Sequence, residues 1–307
     1  MGRFITRRLL LTVPVLIGAS FLIFAMVYAL PGDPIRALAG DRPLAPAVVA
    51  QLRAQYNLDD PFLLQYVKYV GGLLQGDFGS DFAGRPVLDT ISQRLPVTVR
   101  LTIVAIVFEA LIGIAAGVLS GLRRNSFFDN LVLVSTTLLV SVPVFVLGFV
   151  AQYLLGYKLD LFPIAGINAG WYSYLLPGLV LAALSMAYVA RLTRTAVSEA
   201  MAADYIRTAR AKGVGYRRIV FRHALRNSMI PVVTFIGADV GSLLGGAIVT
   251  ESVFNIPGLG RAIFDAVQNQ EGAVVVGIVT LMVFFYIFFN LVVDVLYALL
   301  DPRIRYE

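Results

Sequence analysis

Three carboxylates stand inside otherwise apolar stretches, Glu109, Asp239 and Asp294, and the only histidine, His223, lies in a cationic run. These are the side chains from which chemistry could be built. A serine nucleophile needs a base beside it, and a histidine held among arginines cannot reach a serine buried in hydrocarbon. Asp239 and Asp294 could share a proton as paired aspartates do. Neither, however, stands in the glycine-rich or tyrosine-flanked setting of intramembrane aspartic proteases. With a cysteine count of 0, thiolate nucleophiles, thiolate metal sites and disulfides are excluded. No G-x-x-x-x-G-K-[ST] occurs, so the chain has no phosphate-binding loop of its own. What remains for the acids is placement. A charge in hydrocarbon costs a few kcal/mol on insertion scales, so Glu109 and Asp239 should face an interior, a water-filled path or another subunit. The plainer alternative makes them protonated or hydrogen-bonded structural groups. Asp294, two turns before Asp301-Pro302-Arg303, is read as a residue of the membrane boundary. No catalytic, cofactor or metal site is expected.

The elements that must hold these acids are membrane helices. Hydrophobic residues make up 58% of the chain and charged residues 14%, with a mean hydropathy of +0.80, far from the balance of soluble domains. The net charge of +6 is concentrated at the ends of apolar runs. Membrane topology produces that pattern without nucleic acid, and no nucleic-acid partner is expected. Segments 9–30, 101–120, 131–155, 171–193, 230–250 and 273–300 are long enough to cross a bilayer core of about 30 Å. In the fourth, Pro177 and Gly178 interrupt the pattern. Arg3, Arg7 and Arg8 precede the first, whose apolar run exceeds a signal-peptide core and ends in Pro31-Gly32-Asp33-Pro34 without a cleavage pattern. An uncleaved first span is therefore expected. Placing both termini inside puts Arg123, Arg124 and the cluster from Arg191 to Arg226 in the cytoplasm, as the positive-inside rule favours.

Between the first and second spans, 46–56 and 62–74 have helical apolar spacing and are separated by Asn57-Leu58-Asp59-Asp60-Pro61. Two short surface helices of an outer cap are expected. Gly76-Asp77-Phe78-Gly79-Ser80 forces a turn before the chain re-enters the membrane near Arg94-Leu95-Pro96. Gly113, Gly117 and Gly121 line one face of the second span, and Gly237, Gly241 and Gly245 one face of the fifth, which lets backbones approach closely. Pro143 should kink the third span. The divisions are then 1–30, an extracytoplasmic segment 31–96, a five-helix core 97–300 containing a cytoplasmic loop 199–230, and a tail 301–307.

That loop carries the densest charge. Between Arg191 and Arg226 lie nine Arg or Lys and only Glu199 and Asp204 as acids. Asp204 can cap a helix running to Lys212, with Gly213 as its left-handed terminator. A second helix begins near Tyr216 and runs to Pro231. Tyr205, Ile206, Ala209 and Val214 supply an apolar contact surface amid the charge. Positive-inside topology accounts for the arginines, but not for this capped, partly apolar helix. A protein partner accounts for both.

The loop resembles the EAA loop of ATP-binding-cassette importer permeases, whose pattern is E-A-A, three residues, Gly, nine residues, then I-x-L-P. Gly213 takes the glycine position, Ala209 the third of the leading residues and Leu225 the leucine. Arg207 and Thr208 stand for the usual E-A, His223 for the isoleucine and Arg226 for the proline, a form similar to the peptide and nickel branch. Arg7-Arg8-Leu9, Pro31-Gly32-Asp33-Pro34, Gly76 to Ser80, Arg94-Leu95-Pro96-Val97-Thr98, Glu251 to Gly260 and Asp301-Pro302-Arg303 resemble B-type permeases of that branch. The resemblance implies an all-α integral membrane protein of six transmembrane helices with the type I importer fold, in a bacterial inner membrane. It implies a non-catalytic subunit that forms half of a path for di- or oligopeptides by alternating access, with nickel or glutathione as alternative cargo. It further implies a C-type permease partner in a heterodimer, two ATP-binding subunits and an extracytoplasmic peptide-binding protein. Asp204, Tyr205, Ile206, Ala209, Lys212, Gly213, Val214 and Tyr216 would engage an ATPase, and Glu251, Phe254, Pro257 and Gly258 the binding protein. A stand-alone proton-coupled carrier would instead need matching repeats with broken helices, and no such repeat is legible.

Overall fold

In lipid every backbone polar group must be satisfied within the protein, and a helix does this inside one segment. The computed structural model describes residues 2–28, 45–55 and 57–300, and their framework is helical. In chain order the helices are α1 (Gly2–Tyr28), α2 (Pro46–Gln55), α3 (Phe62–Leu74), α4 (Val87–Leu122), α5 (Phe127–Ser141), α6 (Val144–Lys158), α7 (Leu175–Ala202), α8 (Asp204–Ala211), α9 (Tyr216–Val253), α10 (Leu259–Gln268) and α11 (Gly272–Leu300). Single π-type stretches at Glu109–Gly113 and Ile219–Ala224 widen α4 and α9 without ending them. The motifs Pro31-Gly32-Asp33-Pro34 and Asp301-Pro302-Arg303 lie outside the described residues, as does the side chain of Asp294.

Among the described residues five helices, α1, α4, α7, α9 and α11, are long and apolar enough to cross a membrane. The third expected span is not one helix but a pair, α5 and α6, bent by 107°. Sterics explain why a break replaces the expected kink. A residue before proline is pushed out of the helical region, and Val142 is extended at φ −101°, ψ 128°. Pro143 then starts α6, its carbonyl accepting from the amides of Val146 (3.0 Å) and Leu147 (3.1 Å). Pro177 and Gly178, expected to interrupt a span, do not. Pro177 falls in the first turn of α7, where no intrahelical N–H is required, and Gly178 sits where α4 closes in, a Cβ there lying 2.5 Å from Val104 Cγ1. Nor does α9 stop at Pro231; it continues to Val253, and Ser228 ties its early turns to the carbonyls of Ala224 (2.8 Å) and Ala196 (3.1 Å).

Helix α7 is the hub, packed by α4, α5 and α9. The first glycine stripe makes this possible: a Cβ on Gly117 would lie 2.5 Å from the Ala190 carbonyl, and one on Gly121 2.8 Å from that of Arg194. Only two glycines of the second stripe act alike. Gly237 and Gly241 meet Val293 and Tyr286 of α11, whereas Gly245 has no neighbour within 4 Å. The main core lies between α4, α7 and α9 around Leu101, Leu176, Ala182 and Ala247. Helices α2 and α3 match the expected positions to about a residue, and the glycines at 76 and 79 turn the chain with φ of 82° and 86°.

Candidate functional site

Helix α7 runs unbroken through the basic end of the bundle, and a single extended residue, Ala203 (φ −68°, ψ 152°), turns the chain into α8. The expected cap is not made by Asp204. Its carboxylate accepts from the Arg207 guanidinium one turn on and makes no cap hydrogen bond, although an acid in the first turn still favours the helix dipole. The far end follows the expectation closely. Gly213 is left-handed at φ 75°, its amide donates to the Arg210 carbonyl (2.9 Å), and the Val214 amide donates to that of Ala209 (3.1 Å). This is the reciprocal bonding of a Schellman terminus, completed by packing of Val214 against the cluster of Ile206, Ala209, Ile219 and Ala224.

That cluster corrects one part of the expected contact surface. Ile206 and Ala209 are buried because they are the inward face of a short helix that must seat on α9. In this chain they pack against Ile219 and Ala224. The surface left open is Asp204, Tyr205, Arg207, Arg210, Lys212, Gly213 and Tyr216. Tyr205 and Tyr216 remain 41% and 57% exposed, apolar rings set among cations.

The loop is anchored by residues that sequence reasoning missed. Asp129, only 1% exposed, accepts from Arg194 Nε (2.5 Å) and Nη2 (2.8 Å), from the Asn125 amide (2.8 Å) and from Ser120 Oγ. A fork-to-fork pair of this kind combines charge with fixed geometry. It binds the turn between α4 and α5 to α7 about three turns before α8 begins. Ser126-x-x-Asp129 at the start of an apolar run was a legible capping signal, and the Asp129 amide does donate to Ser126 Oγ (3.3 Å). Nothing in the sequence named Arg194 as the partner.

At the opposite end, Arg94 to Thr98 meets Glu251 to Arg261. Glu251 Oε1 accepts from Thr98 Oγ1 (2.6 Å), Oε2 accepts from the Arg261 amide (2.9 Å), and Thr98 Oγ1 accepts from the Leu259 amide (2.8 Å). The carboxylate thus satisfies the start of α10 from another helix. Gly258 is required here, since a Cβ would fall 2.2 Å from Glu251 Oε1. Glu251, Phe254 and Gly258, expected to face a binding protein, are buried inside this chain; Pro257 alone of that set is exposed. The loop is folded around its own acid.

Glu109 and Asp239 lie within electrostatic reach of each other without a hydrogen bond between them. Glu109, at the π-type stretch of α4, is buried with both carboxyl oxygens lacking a hydrogen-bond partner, and Asp239 of α9 faces it beside Ser185 and Ser242. Glu109 has no exposed surface, so it touches neither a second subunit nor a solvent-filled path in this arrangement.

Residues 113–306 match the family model described as binding-protein-dependent transport system inner membrane component, and residues 1–102 match its N-terminal model. The glutathione transport system permease protein GsiC of Escherichia coli K12 is 42% identical over 309 residues, covering 100% of both chains. The dipeptide transport system permease protein DppB of the same strain is 38% identical over 338 residues, again covering 100% of both. Among solved structures, an inward-facing form of the MetNI methionine ABC transporter matches with a TM-score of 0.58 at 17% identity, over 69% of this chain and 96% of that one. Matched from end to end by one family and folded as a helical bundle of its kind, the chain belongs to the binding-protein-dependent transport system inner membrane components, the non-catalytic, multi-pass permease subunits of ATP-binding-cassette importers.

Proposed function

We propose that the chain forms half of a translocation path for small peptides, glutathione among them, beside a similar but distinct C-type permease. Two ATP-binding subunits would sit at the basic end, which is then the cytoplasmic end with both termini, and a peptide-binding protein at the other. The names of the relatives support peptide-like cargo. The observation that carries the coupling role is α8, a short helix locked to α9 by its buried face while Tyr205, Gly213 and Tyr216 stay open. Nucleotide-driven closure of the ATPases would move α8, and through the continuous α7 and α9 it would move the packed core. This is a two-state element biased by a ligand on a partner.

In this arrangement Asp204, Tyr205, Lys212, Gly213 and Tyr216 meet an ATPase, and Ile206, Ala209 and Val214 keep the loop's shape. Pro257, with the neighbouring Asn255, is the part of the opposite loop open to a binding protein. Glu109 and Asp239 form an internal polar contact between α4 and α9 that opens toward the path when the helices shift.

The test is reconstitution. Uptake of a labelled dipeptide or glutathione into proteoliposomes should require this chain, the second permease, both ATPases, the binding protein and ATP, and the chain alone should be inert. Uptake by the isolated chain driven by a proton gradient refutes the reading. Cysteines placed at Tyr205 and Tyr216 should cross-link to an ATPase subunit, which their failure to do in an active complex would contradict.

A further inference from the structure

We infer that α3 is sunk into the membrane and presents an apolar stripe to the acyl chains of the leaflet opposite the basic loop. A cap on the membrane surface, the expected arrangement, would hold this helix above the ends of the spans. Two spans fix its depth instead. The turn of α1 at Val27 and Tyr28 and the start of α11 share one level, since a Cβ on Gly272 would lie 2.7 Å from Val27 Cγ1 and 3.9 Å from the Tyr28 ring. The Tyr69 hydroxyl donates to Thr280 Oγ1 (2.9 Å), two turns below Gly272 on α11. The Tyr66 hydroxyl donates to the Ile17 carbonyl (3.0 Å) and lies 2.9 Å from Ser20 Oγ, two turns below Tyr28 on α1. These eight-residue steps correspond to about 12 Å at 1.5 Å per residue, against a half-thickness of about 15 Å for the hydrocarbon core. The Phe62 ring meets the same stretch of α1, edge-on to Phe21 at 6.0 Å and tilted against Phe24 at 5.6 Å.

The two other faces of α3 identify the occupant. Gln65 and Lys68 turn toward the polar loop, Gln65 Nε2 donating to the Asp60 carbonyl (2.8 Å) and Lys68 Nζ reaching Asn57 Oδ1 (2.9 Å) and Asp60 Oδ2 (2.5 Å). Leu63, Val67 and Leu74 form the remaining stripe, 67%, 62% and 85% exposed, and no residue of α3 is buried. Water there would hydrate a continuous apolar strip at hydrocarbon depth. Lipid covers it at no such cost, as it covers the exposed apolar residues of α1 such as Leu22 and Met26. The tyrosine bonds then make α3 an intramembrane brace between α1 and α11.

The lack of cysteine makes the test direct. Leu63→Cys, Val67→Cys and Asp59→Cys are each nitroxide-labelled in the complete importer in phospholipid nanodiscs. Collision rates with oxygen and with a water-soluble nickel chelate are then compared. Lipid contact predicts an oxygen-to-nickel ratio several-fold higher at Leu63 and Val67 than at Asp59. A nickel rate equal to that at Asp59 places the stripe in water and overturns the inference. Low rates with both reagents mean a protein cover, from this chain or a partner, and overturn it equally. If the labelled variants fail to assemble, Val67→Trp in a Trp171→Phe background reports the same contact. Its emission should be quenched by brominated acyl chains, and unquenched emission refutes lipid contact.

Discussion

Replacing Gly213 isolates the coupling geometry from every other property of the loop. Its φ of 75° is a left-handed conformation that costs an L-residue about 1–2 kcal/mol. A Cβ there would meet nothing within 4 Å, so backbone strain is the only penalty and no clash confuses it. Asn, which visits this region most readily after glycine, should cost least, Ala about 1 kcal/mol, and Val the most because its branched Cβ crowds the backbone further. A penalty of 1–2 kcal/mol lowers the population of the closed turn by roughly 5–30-fold. The Val214 to Ala209 bond opens first, and the seat of α8 on α9 loosens with it. In proteoliposomes containing the whole importer, uptake per ATP hydrolysed should fall in the order Gly, Asn, Ala, Val, while membrane insertion and permease pairing stay intact. If Gly213→Val retains substrate-stimulated hydrolysis and full uptake per ATP, α8 does not transmit the motion. Equal loss for all three substitutions would show that backbone handedness is not the cause.

Further outcomes follow from the anchors. Asp129→Asn leaves Arg194 with a neutral partner in a buried site, and breaking such a pair costs about 3–5 kcal/mol. Thermal unfolding in detergent should drop sharply, whereas Arg194→Lys should recover part of the loss because one charged contact survives. Glu251→Gln can keep an oxygen on the Arg261 amide but sets an NH2 donor against Thr98 Oγ1, whose own proton then loses its acceptor, an unsatisfied arrangement worth about 1–3 kcal/mol. Hydrogen exchange over 254–262 should rise while the exchange of α7 stays unchanged. Asp239→Asn should slow transport without changing assembly or binding-protein affinity if the pair with Glu109 takes part in the helix shift; unaltered transport would leave it a structural group.

Lateral patterning was readable because it is local. Apolar length separates span from loop, and a glycine between two helical patterns marks a left-handed turn; five of the six expected spans as single helices, the helices at 46–55 and 62–74 and the terminator at Gly213 follow from those signals alone. The glycines at 113, 117 and 121 announced a close approach, but their partner, α7, was not written in them. Errors arose where a residue's inward or outward orientation mattered. Ile206, Glu251 and Phe254 are of types that serve equally well in a contact surface or a core, and only the packing of α8 on α9 and of α10 on α4 assigned them inward. Proline gave ambiguous signals for a similar reason: Val142-Pro143 broke a span, Pro177 opened one and Pro231 was absorbed in another.

The sequence by itself determined a multi-span membrane protein with a basic, glycine-terminated loop, because composition, span length and turn chemistry act over a few residues; its motifs added the resemblance to importer permeases. Tertiary structure alone decided that Asp129 holds Arg194 across 65 positions, that Glu251 caps a helix from another helix and that Glu109 faces Asp239. Asp129 and Glu251 find their partners wherever the fold brings them, as polar groups removed from water generally must, and that placement depends on how helices cross.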